Sequence, residues 1–277
     1  MKNTKRQHLT KDLALVVMSC DAYEDVARHF FNLKRRYMPW WKNNCYFINE
    51  SNPYKDEGVI TINADMEHTR SWNERLKMAL DMIPEKYILY MQEDYLIDRL
   101  VLENDLIDAI KYMEKNHIWY YKIDNLPVIA EMIDDIHSSI PSNKRYGINL
   151  LTAIFDKNKL IKLLPKDSAT AWEVETSFLK KVTDEYEYDL EGCVLNTKPI
   201  ISVCYGVRHG KWMRSVIRHF SKTGYKIEPK NRKIMGFKES TYLKITGFIS
   251  HRLTTRQIRR LKRFLMKFNI KTLSLDK

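Results

Sequence analysis

Blocks of apolar sequence alternate with amphipathic blocks through the first half of the chain and predict an α/β fold. Leu13–Met18 is a continuous run of apolar, strand-favouring residues, which is typical of a buried strand. Segments with apolar residues at helical spacing follow it, and further short apolar runs separate them. We predict strands at 13–18, 45–48, 59–62, 118–123 and 148–155, another beginning at Tyr87, and helices at 23–37, 69–83, 102–116, 157–164 and 172–182. This alternation indicates a mixed, mostly parallel sheet with helices packed on both faces.

One predicted strand ends in two adjacent carboxylates, Glu93 and Asp94, and this is the most informative feature of the chain. Burying such groups without partners is costly, so we expect them in a polar cleft at the carboxyl edge of the sheet, where open α/β folds bind ligands. Gln92 and Asp94 are two residues apart and point the same way in an extended chain. Asp94 is the predicted metal ligand, because Mg²⁺ is usually held by one or two carboxylates together with phosphates. An exposed turn with solvated acids is the alternative.

Other polar side chains follow predicted strands or begin helices, and they suit a bound nucleotide diphosphate. Ser19 and Asp21 leave the first strand, where a nucleotide docks in open sheets. Asp65 follows the third strand, and Arg75 lies three residues after Trp72 on a predicted helix. A guanidinium facing the cleft would neutralise phosphate oxygens. Considered alone, each has a structural explanation: Asp65 as a turn residue, Arg75 as a salt bridge and Trp72 as core.

The charge of the chain is divided unevenly along its length. Residues 205–277 contain 20 Lys and Arg and three acids, a net charge of +17, so residues 1–204 carry −5 of the total of +12. In the basic part, Thr254–Phe268 has apolar residues on one helical stripe flanked by cations, which predicts a basic amphipathic helix. Such a helix suits an anionic membrane surface. Packing on the body of the protein is one alternative. Contact with nucleic acid phosphates is the other, but interleaved aromatics and known nucleic-acid motifs are absent, so no nucleic acid partner is expected.

Composition and motifs exclude several other classes of protein. With 30% charged residues, 44% hydrophobic residues and only eight Gly and eight Pro, the chain is typical of a globular protein. Its four scattered cysteines contain no CxxC pair and indicate reduced thiols. The motifs G-x-G-x-x-G, G-x-S-x-G and H-E-x-x-H are absent, and Gly206–Lys211 is one residue too short for a P-loop. The first apolar run is too short for a signal peptide or a membrane span, so we expect a cytoplasmic protein.

Several short motifs occur in an order and at a spacing that are similar to those of one protein family. The motifs are Ser19–Tyr23, Phe30–Phe31, Tyr37–Trp40, Ser71–Leu76, Tyr87–Tyr95, Trp172–Glu175 and Gly206–Trp212. They resemble GT-A-like glycosyltransferases from bacterial gene clusters for capsule, O-antigen and other surface polysaccharides. The Glu-Asp-aromatic motif of that family is matched by Glu93, Asp94 and Tyr95, where better-known GT-A enzymes have Asp-x-Asp. Two positions depart from the pattern, because Gln92 stands in place of the first aspartate and Val174 in place of an aromatic residue.

The resemblance implies an inverting enzyme that moves a sugar from a nucleotide-sugar donor to a hydroxyl of a lipid-linked glycan. It implies a GT-A-like catalytic domain at residues 1–240 and a basic amphipathic appendage at 241–277. The implied donor-binding residues are Ser19, Asp21, Tyr23, Asp65, Trp72, Arg75, Gln92, Glu93, Arg208 and Lys211. Asp94 and His209 are the implied ligands of a Mn²⁺ or Mg²⁺ ion. Because Gln92 departs from the pattern, the alternative is that Arg208 and Lys211 replace the metal beside the leaving diphosphate.

Glu173 and Glu175 are the catalytic candidates that the resemblance implies. An inverting transfer needs a carboxylate that deprotonates the acceptor hydroxyl, and such general-base help is worth ~100–10,000-fold in rate. Residues two apart on a helix diverge by about 200°, so only one of the two can face the pocket. Glu173 is the preferred candidate. The alternative is that both glutamates complement the helix dipole at the first turn.

Two other functions remain open at this level. A nucleic-acid-binding protein would use the basic C-terminal quarter and bind oligonucleotides in a salt-sensitive manner. A nucleotidyltransferase on a related sheet would consume a nucleoside triphosphate and release pyrophosphate. For the glycosyltransferase, we expect a peripheral location on the cytoplasmic face of the plasma membrane.

Overall fold

The computed structural model of the chain describes residues 12–124, 131–142, 147–183, 185–230, 232–237 and 239–241. The chain forms two compact units, the first ending at Val207 and the second beginning at Arg208. This division lies before the predicted boundary between 240 and 241, which stays a prediction. The predicted helix at 254–268 lies outside the described residues.

An eight-stranded sheet forms the centre of the first unit. Its order is β3 (Ile60–Asn63), β2 (Cys45–Asn49), β1 (Leu13–Met18), β4 (Tyr87–Gln92), β8 (Ala153–Asp156), β6 (Tyr120–Lys122), β11 (Cys193–Asn196) and β7 (His137–Ser138). The pairs β3–β2, β2–β1, β1–β4 and β6–β11 are parallel. The pairs β4–β8, β8–β6 and β11–β7 are antiparallel. The prediction of a mixed, mostly parallel sheet is therefore confirmed.

Helices cover both faces of this sheet because its strand residues are apolar on both sides. The helices of the first unit are α1 (Glu24–Tyr37), α2 (Trp72–Met82), α3 (Glu103–Lys115), α4 (Lys157–Leu163) and α5 (Ala171–Ser177). Val16 and Ile48 belong to a core cluster with Leu76 of α2, to which α4 and α5 also contribute. On the other face, Phe31 of α1 packs edge-to-face on Phe47 with ring centroids 5.6 Å apart. Alternating strand residues therefore serve two separate helical layers.

Shorter strands complete the first unit outside the main sheet. β5 (Tyr95–Ile97) pairs antiparallel with β12 (Val203–Tyr205), and β9 (Leu179–Val182) pairs antiparallel with β10 (Glu185–Tyr188). β5 begins only two residues after β4 ends, so the chain turns at Glu93 and Asp94.

The predicted helix at 172–182 is partly wrong, because α5 ends at Ser177 and residues 179–182 form β9. The partner strand β10 contains Tyr186 and Tyr188, and cross-strand pairing with these residues outweighs the weak helical pattern of Leu179–Val182.

The predicted strand at 148–155 is also partly wrong, because only residues 153–156 form β8. The preceding backbone donates to side chains instead of to a neighbouring strand. The N–H of Leu151 bonds to the side chain of Asn149, and the N–H of Leu150 bonds to Glu175. Such local side-chain partners compete with sheet pairing.

The second unit is described by itself. The short strand β13 (Val207–Arg208) spans the boundary at which this unit begins, and β14 (Lys211–Trp212) and α6 (Arg214–Lys222) follow. Trp212, Phe220 and Met235 are fully buried and form its core. The N–H of Trp212 donates to the carbonyl of Lys233 at 2.9 Å, which ties the later chain to the start of α6. In the described ranges, no helix is both long and apolar enough to cross a bilayer.

Candidate active site

The carboxyl edge of the parallel strands gathers polar residues from four chain segments. Met18, the last residue of β1, lies opposite Ile48 of β2 and Gln92 of β4. The residues that follow these strands therefore meet at one edge. The N–H of Ser19 donates to the carbonyl of Ile48, and the N–H of Asp65 donates to the carbonyl of Glu50, at 2.9 and 3.0 Å. The structure thus brings the ends of β1 to β4 together, as the sequence predicts.

Asp21 binds the loop that follows β2. Its carboxylate accepts hydrogen bonds from the N–H of Ser51 at 3.1 Å, the hydroxyl of Ser51 at 2.6 Å and the N–H of Asn52 at 3.0 Å. Burial alone would raise the pKa of Asp21, but these bonds, together with the nearby His68, lower it below its usual value. Asp21 is therefore a charged anchor that fixes the loop beside the end of β1.

Glu50 connects this anchor to Arg75. One carboxylate oxygen of Glu50 lies 2.8 Å from a guanidinium nitrogen of Arg75, and the other accepts the N–H of Asp21 at 3.0 Å. The side chains of Glu50 and Arg75 are 24% and 10% exposed, so the ion pair is largely shielded from water. Arg75 thus forms a salt bridge in this structure, which is the structural explanation considered for it above.

Asp65 and Trp72 both support the start of α2. Asp65 accepts hydrogen bonds from the N–H groups of Thr69 and Arg70 at 2.8 and 3.1 Å. Burial opposes ionisation, but these two donors and the charge of Arg75 hold the pKa of Asp65 below its usual value. Trp72 packs against the core cluster, as a partly buried residue.

Glu93 and Asp94 make the edge of the sheet acidic. Glu93 is buried, and Asp94 and Gln92 are half-buried. Burial raises the pKa of the Cys20 thiol to about 11, with further contributions from the charges of Glu93 and Glu50. Cys20 is therefore within electrostatic range of both glutamates, and its thiol stays protonated at neutral pH. The main-chain carbonyl of Asp94 accepts the N–H of Gly206 at 2.7 Å, which holds the turn after β4 in place.

Ser19 and Tyr23 are the two remaining predicted donor-binding residues of the first unit. Ser19 is buried directly after β1, and Tyr23 is half-buried at the end of a 3-10 turn, Asp21–Tyr23.

Glu175 joins this group of acids from α5. Burial raises the pKa of Glu175 above its usual value, although the N–H of Leu150, at 2.8 Å, and the charge of Lys122 act in the opposite direction. The pKa of Tyr95 is raised first by its own burial and then by the charge of Asp94, with a smaller effect from Glu175. Glu175 is therefore a shielded carboxyl group near the turn that follows β4.

Glu173 has a different role in the local structure. It caps α5, because one carboxylate oxygen accepts both the N–H and the hydroxyl of Thr170 at 2.8 Å. These two bonds lower the pKa of Glu173. The side chain is exposed, so its predicted catalytic role has no support from its surroundings and stays a prediction.

Sequence reasoning missed two buried charges at the carboxyl end of β6. Lys122 is 1% exposed and Asp124 is 2% exposed. The charges of Asp124 and Asp94 add to burial in raising the pKa of Tyr205, so both acids lie near that ring. Lys122 acts on Glu175 as described above. The sequence does carry a signal for them. Lys122 and Asp124 are polar residues at the end of a predicted strand, like the candidate site residue Asp94.

Two carboxylates and one imidazole in the first unit lie close enough together to surround a cation. Ligand atoms of Asp21, Glu50 and His68 all lie within 4.8 Å of one another. Each of these groups already has a protein partner: the loop for Asp21, Arg75 for Glu50, and the Ser51 hydroxyl, at 3.2 Å, for His68. We therefore interpret this group as a structural network.

Three predicted site residues of the Gly206–Trp212 motif, Arg208, His209 and Lys211, belong to the second unit. Arg208 and His209 are exposed, and His209 has a φ of 50°, followed by Gly210 at 71°. Lys211 forms an ion pair with Glu239 at 2.8 Å. The predicted roles of Arg208 and Lys211 at the diphosphate and of His209 as a metal ligand stay predictions.

Comparison with solved structures finds partial matches at low sequence identity. The S. aureus TarS fragment 1–349 in complex with UDP-GlcNAc is 13% identical, with a TM-score of 0.47 over 73% of this chain and 60% of that chain. The mannosyltransferase PcManGT from Pyrobaculum calidifontis, in complex with GDP-Man and Mn²⁺, is 10% identical, with a TM-score of 0.43 over 82% of this chain and 72% of that chain. A putative glucose-1-phosphate thymidylyltransferase from Bacillus anthracis is 8% identical, with a TM-score of 0.32 over 54% of this chain and 73% of that chain. The chain thus spans about 60% of the TarS fragment. No protein-family model and no curated protein sequence matches the chain.

Proposed function

We propose that the protein is a GT-A-like glycosyltransferase that uses a nucleotide-sugar donor. The observation that carries this proposal is the group of acids at the carboxyl edge of the sheet. Glu93 and Asp94 follow β4, Asp124 follows β6, and Glu175 approaches from α5 with a raised pKa. Titratable groups with perturbed pKa values at a ligand-binding edge of an α/β sheet are typical of catalytic sites.

We assign the role of general base to Glu175. A carboxylate with a raised pKa is a stronger base and takes a proton more readily than an ordinary glutamate. The N–H of Leu150 orients its carboxylate, and the charge of Lys122 keeps the ionised form accessible. Glu175 would accept the proton of the acceptor hydroxyl while that oxygen attacks the anomeric carbon of the donor.

The loop that Asp21 anchors would hold the nucleoside part of the donor. Its hydrogen bonds to Asp21 fix this loop beside the ends of β1 and β2, at the place where nucleotides dock in open sheets. In this assignment Asp21, Glu50 and Arg75 act by positioning this loop. The carboxylates of Glu93 and Asp94 supply hard oxygen donors that fit a Mn²⁺ or Mg²⁺ ion, which would neutralise the diphosphate when bound. Arg208 and Lys211 are the proposed further cations for the leaving group.

The acceptor and the cellular location are also proposals. We infer from the motifs quoted above that the acceptor is a hydroxyl of a lipid-linked glycan in surface polysaccharide synthesis, and that the anomeric centre is inverted. The protein would act at the cytoplasmic face of the membrane, with the basic segment at 254–268 as one contact with anionic lipid.

A ligand-binding screen tests the donor class. Thermal unfolding of the full chain would be measured with UDP-GlcNAc, GDP-Man and the corresponding CMP- and dTDP-linked sugars, with and without Mn²⁺. A ligand at 100 times its Kd stabilises the folded state by about 2.7 kcal/mol, so one nucleotide class should raise the Tm by several degrees.

Two variants show where the donor binds. Asp94→Asn should remove the Mn²⁺-dependent part of the shift, whereas Asp81→Asn, at an exposed position on α2, should leave it unchanged. Absence of any nucleotide-sugar shift, together with stabilisation by a single-stranded oligonucleotide, would favour a nucleic-acid-binding protein. Pyrophosphate release from a nucleoside triphosphate would favour a nucleotidyltransferase.

A further inference from the structure

Three cations form a row on one side of α6 in the second unit. Arg214, Arg218 and Lys222 are four residues apart, so their side chains lie one helical turn above another. All three are exposed, whereas Val216 and Phe220 are buried. None of the three cations has an ion-pair partner within the ranges that the structure describes. Three like charges within about 12 Å repel one another unless an external anion binds them.

Two large apolar side chains in the segment that follows this helix are exposed. Phe237 is 77% exposed and Ile234 is 43% exposed. Ile234 forms a bridge with Trp212, which lies two residues before α6. Met235 is fully buried, and successive side chains of an extended segment point to opposite sides, so Ile234 points outward. Ile234 therefore lies near the amino end of the cationic row, and Phe237 follows it three residues later in the chain.

The rest of the unit does not neutralise this charge. Residues 208–241 contain ten Lys and Arg and only two acids, Glu228 and Glu239. Each acid is already used in an ion pair, Glu239 with Lys211 at 2.8 Å and Glu228 with Lys226 at 3.5 Å. The surface around α6 thus combines an excess of positive charge with exposed apolar groups.

We propose that Arg214, Arg218, Lys222, Ile234 and Phe237, here called the α6 surface, bind an anionic lipid membrane. Cations beside a membrane interact with lipid phosphates, and apolar side chains such as Ile and Phe insert at the boundary of the acyl chains. A nucleic acid would match the cations equally well, but it offers no acyl region for an isoleucine. The proposal adds a second contact to the one proposed for 254–268. It is independent of sugar transfer, because vesicle binding needs no donor and no acceptor.

Vesicle sedimentation with the full chain tests the α6 surface. The wild-type protein should bind vesicles that contain one-third phosphatidylglycerol and should not bind vesicles of pure phosphatidylcholine. Removing one cation near an anionic surface reduces binding about fivefold, so R214A/R218A/K222A should reduce it about 100-fold. F237A should reduce binding about tenfold, because one aromatic side chain no longer inserts.

Matched variants in the first unit serve as controls. K77A/K111A/K180A removes the same number of exposed cations, and M82A removes an exposed apolar side chain, so both should bind vesicles like the wild type. Equal losses in the two triple variants would overturn the proposal, because net charge alone would then explain binding. Wild-type binding by F237A and by R214A/R218A/K222A would also overturn it. A third outcome would overturn it as well: the wild type binds a single-stranded oligonucleotide but no vesicles, and R214A/R218A/K222A loses the oligonucleotide binding. Unchanged circular dichroism and Tm in each variant show that the fold is intact.

Discussion

The carboxylate of Glu175 accepts a hydrogen bond from the backbone N–H of Leu150 at 2.8 Å. This bond joins α5 to the irregular segment before β8, and it is one of the side-chain partners that compete there with sheet pairing. It also holds a carboxyl group with a raised pKa near the acids that follow β4.

Glu175→Gln separates the two glutamates of α5. The amide oxygen of Gln can still accept the N–H of Leu150, so the fold should be kept while the base is lost. We expect kcat to fall by at least about 100-fold. Glu173→Gln should change kcat less than about threefold, because Glu173 caps the helix. Steady-state transfer rates of both variants check this. If kcat falls strongly in Glu173→Gln while Glu175→Gln stays active, Glu173 is the base instead.

The raised pKa of Glu175 also predicts a pH dependence. Only the ionised carboxylate can accept a proton, so the transfer rate of the wild type should fall as the pH decreases through this raised pKa. For stability the sign is opposite. The folded state disfavours the ionised form, so the group costs stability as the pH rises from the unfolded pKa through the folded one. Urea unfolding of wild type and Glu175→Gln between about pH 4 and pH 8 measures this. The variant should gain stability relative to the wild type as the pH rises. If the difference in the free energy of unfolding between the wild type and Glu175→Gln does not change with pH, the pKa of Glu175 is not raised.

The ion pair of Glu50 and Arg75 should contribute to stability. Removal of one partner from a buried pair costs about 3–5 kcal/mol, and because Glu50 is 24% exposed we expect Arg75→Met to cost less, about 2 kcal/mol. Chemical unfolding of single and double variants, with Glu50→Gln as the second substitution, gives the coupling energy of the pair. The exposed pair of Lys77 and Asp81 is the control, with a coupling of about 0.5 kcal/mol or less. Equal couplings would show that the Glu50 pair is effectively solvated.

Gly192 should not tolerate a side chain. Its φ is 74°, and a Cβ atom there would lie 2.7 Å from the ring of Trp119. Gly224 has the same φ region, at 75°, but nothing lies within 4 Å of a Cβ atom. Gly224→Ala should therefore cost only the backbone strain, about 1 kcal/mol, and Gly192→Ala about 1–3 kcal/mol more because of the clash. Thermal unfolding of the two variants measures the difference. Similar Tm values would mean that the indole ring can move aside.

The edge of the sheet was predictable because local patterns determine it. A buried apolar run followed by Glu93 and Asp94 identifies both the strand and its polar end, and parallel strands bring such ends together. The Glu50 pair was not predictable, because its partner Arg75 comes from a different chain segment. A pattern of Thr or Ser three residues before Glu signals a capping box, and Thr170 with Glu173 has this pattern. Because the capping box already gives Glu173 a structural role, this pattern would have favoured Glu175 as the candidate base from the sequence alone.

The antiparallel direction of β8 gives the two sides of the site different origins. The proposed donor side is built from residues that follow strands β1 to β4, whose positions are tied to the core of the sheet. On the opposite side, residues 147–152 enter β8, and their backbone is held by side chains such as Glu175 and Asn149. A change of sequence in that entering segment disturbs few ladder hydrogen bonds. In the proposed glycosyltransferase, the acceptor side would therefore be free to diversify during evolution while the donor side stays constant.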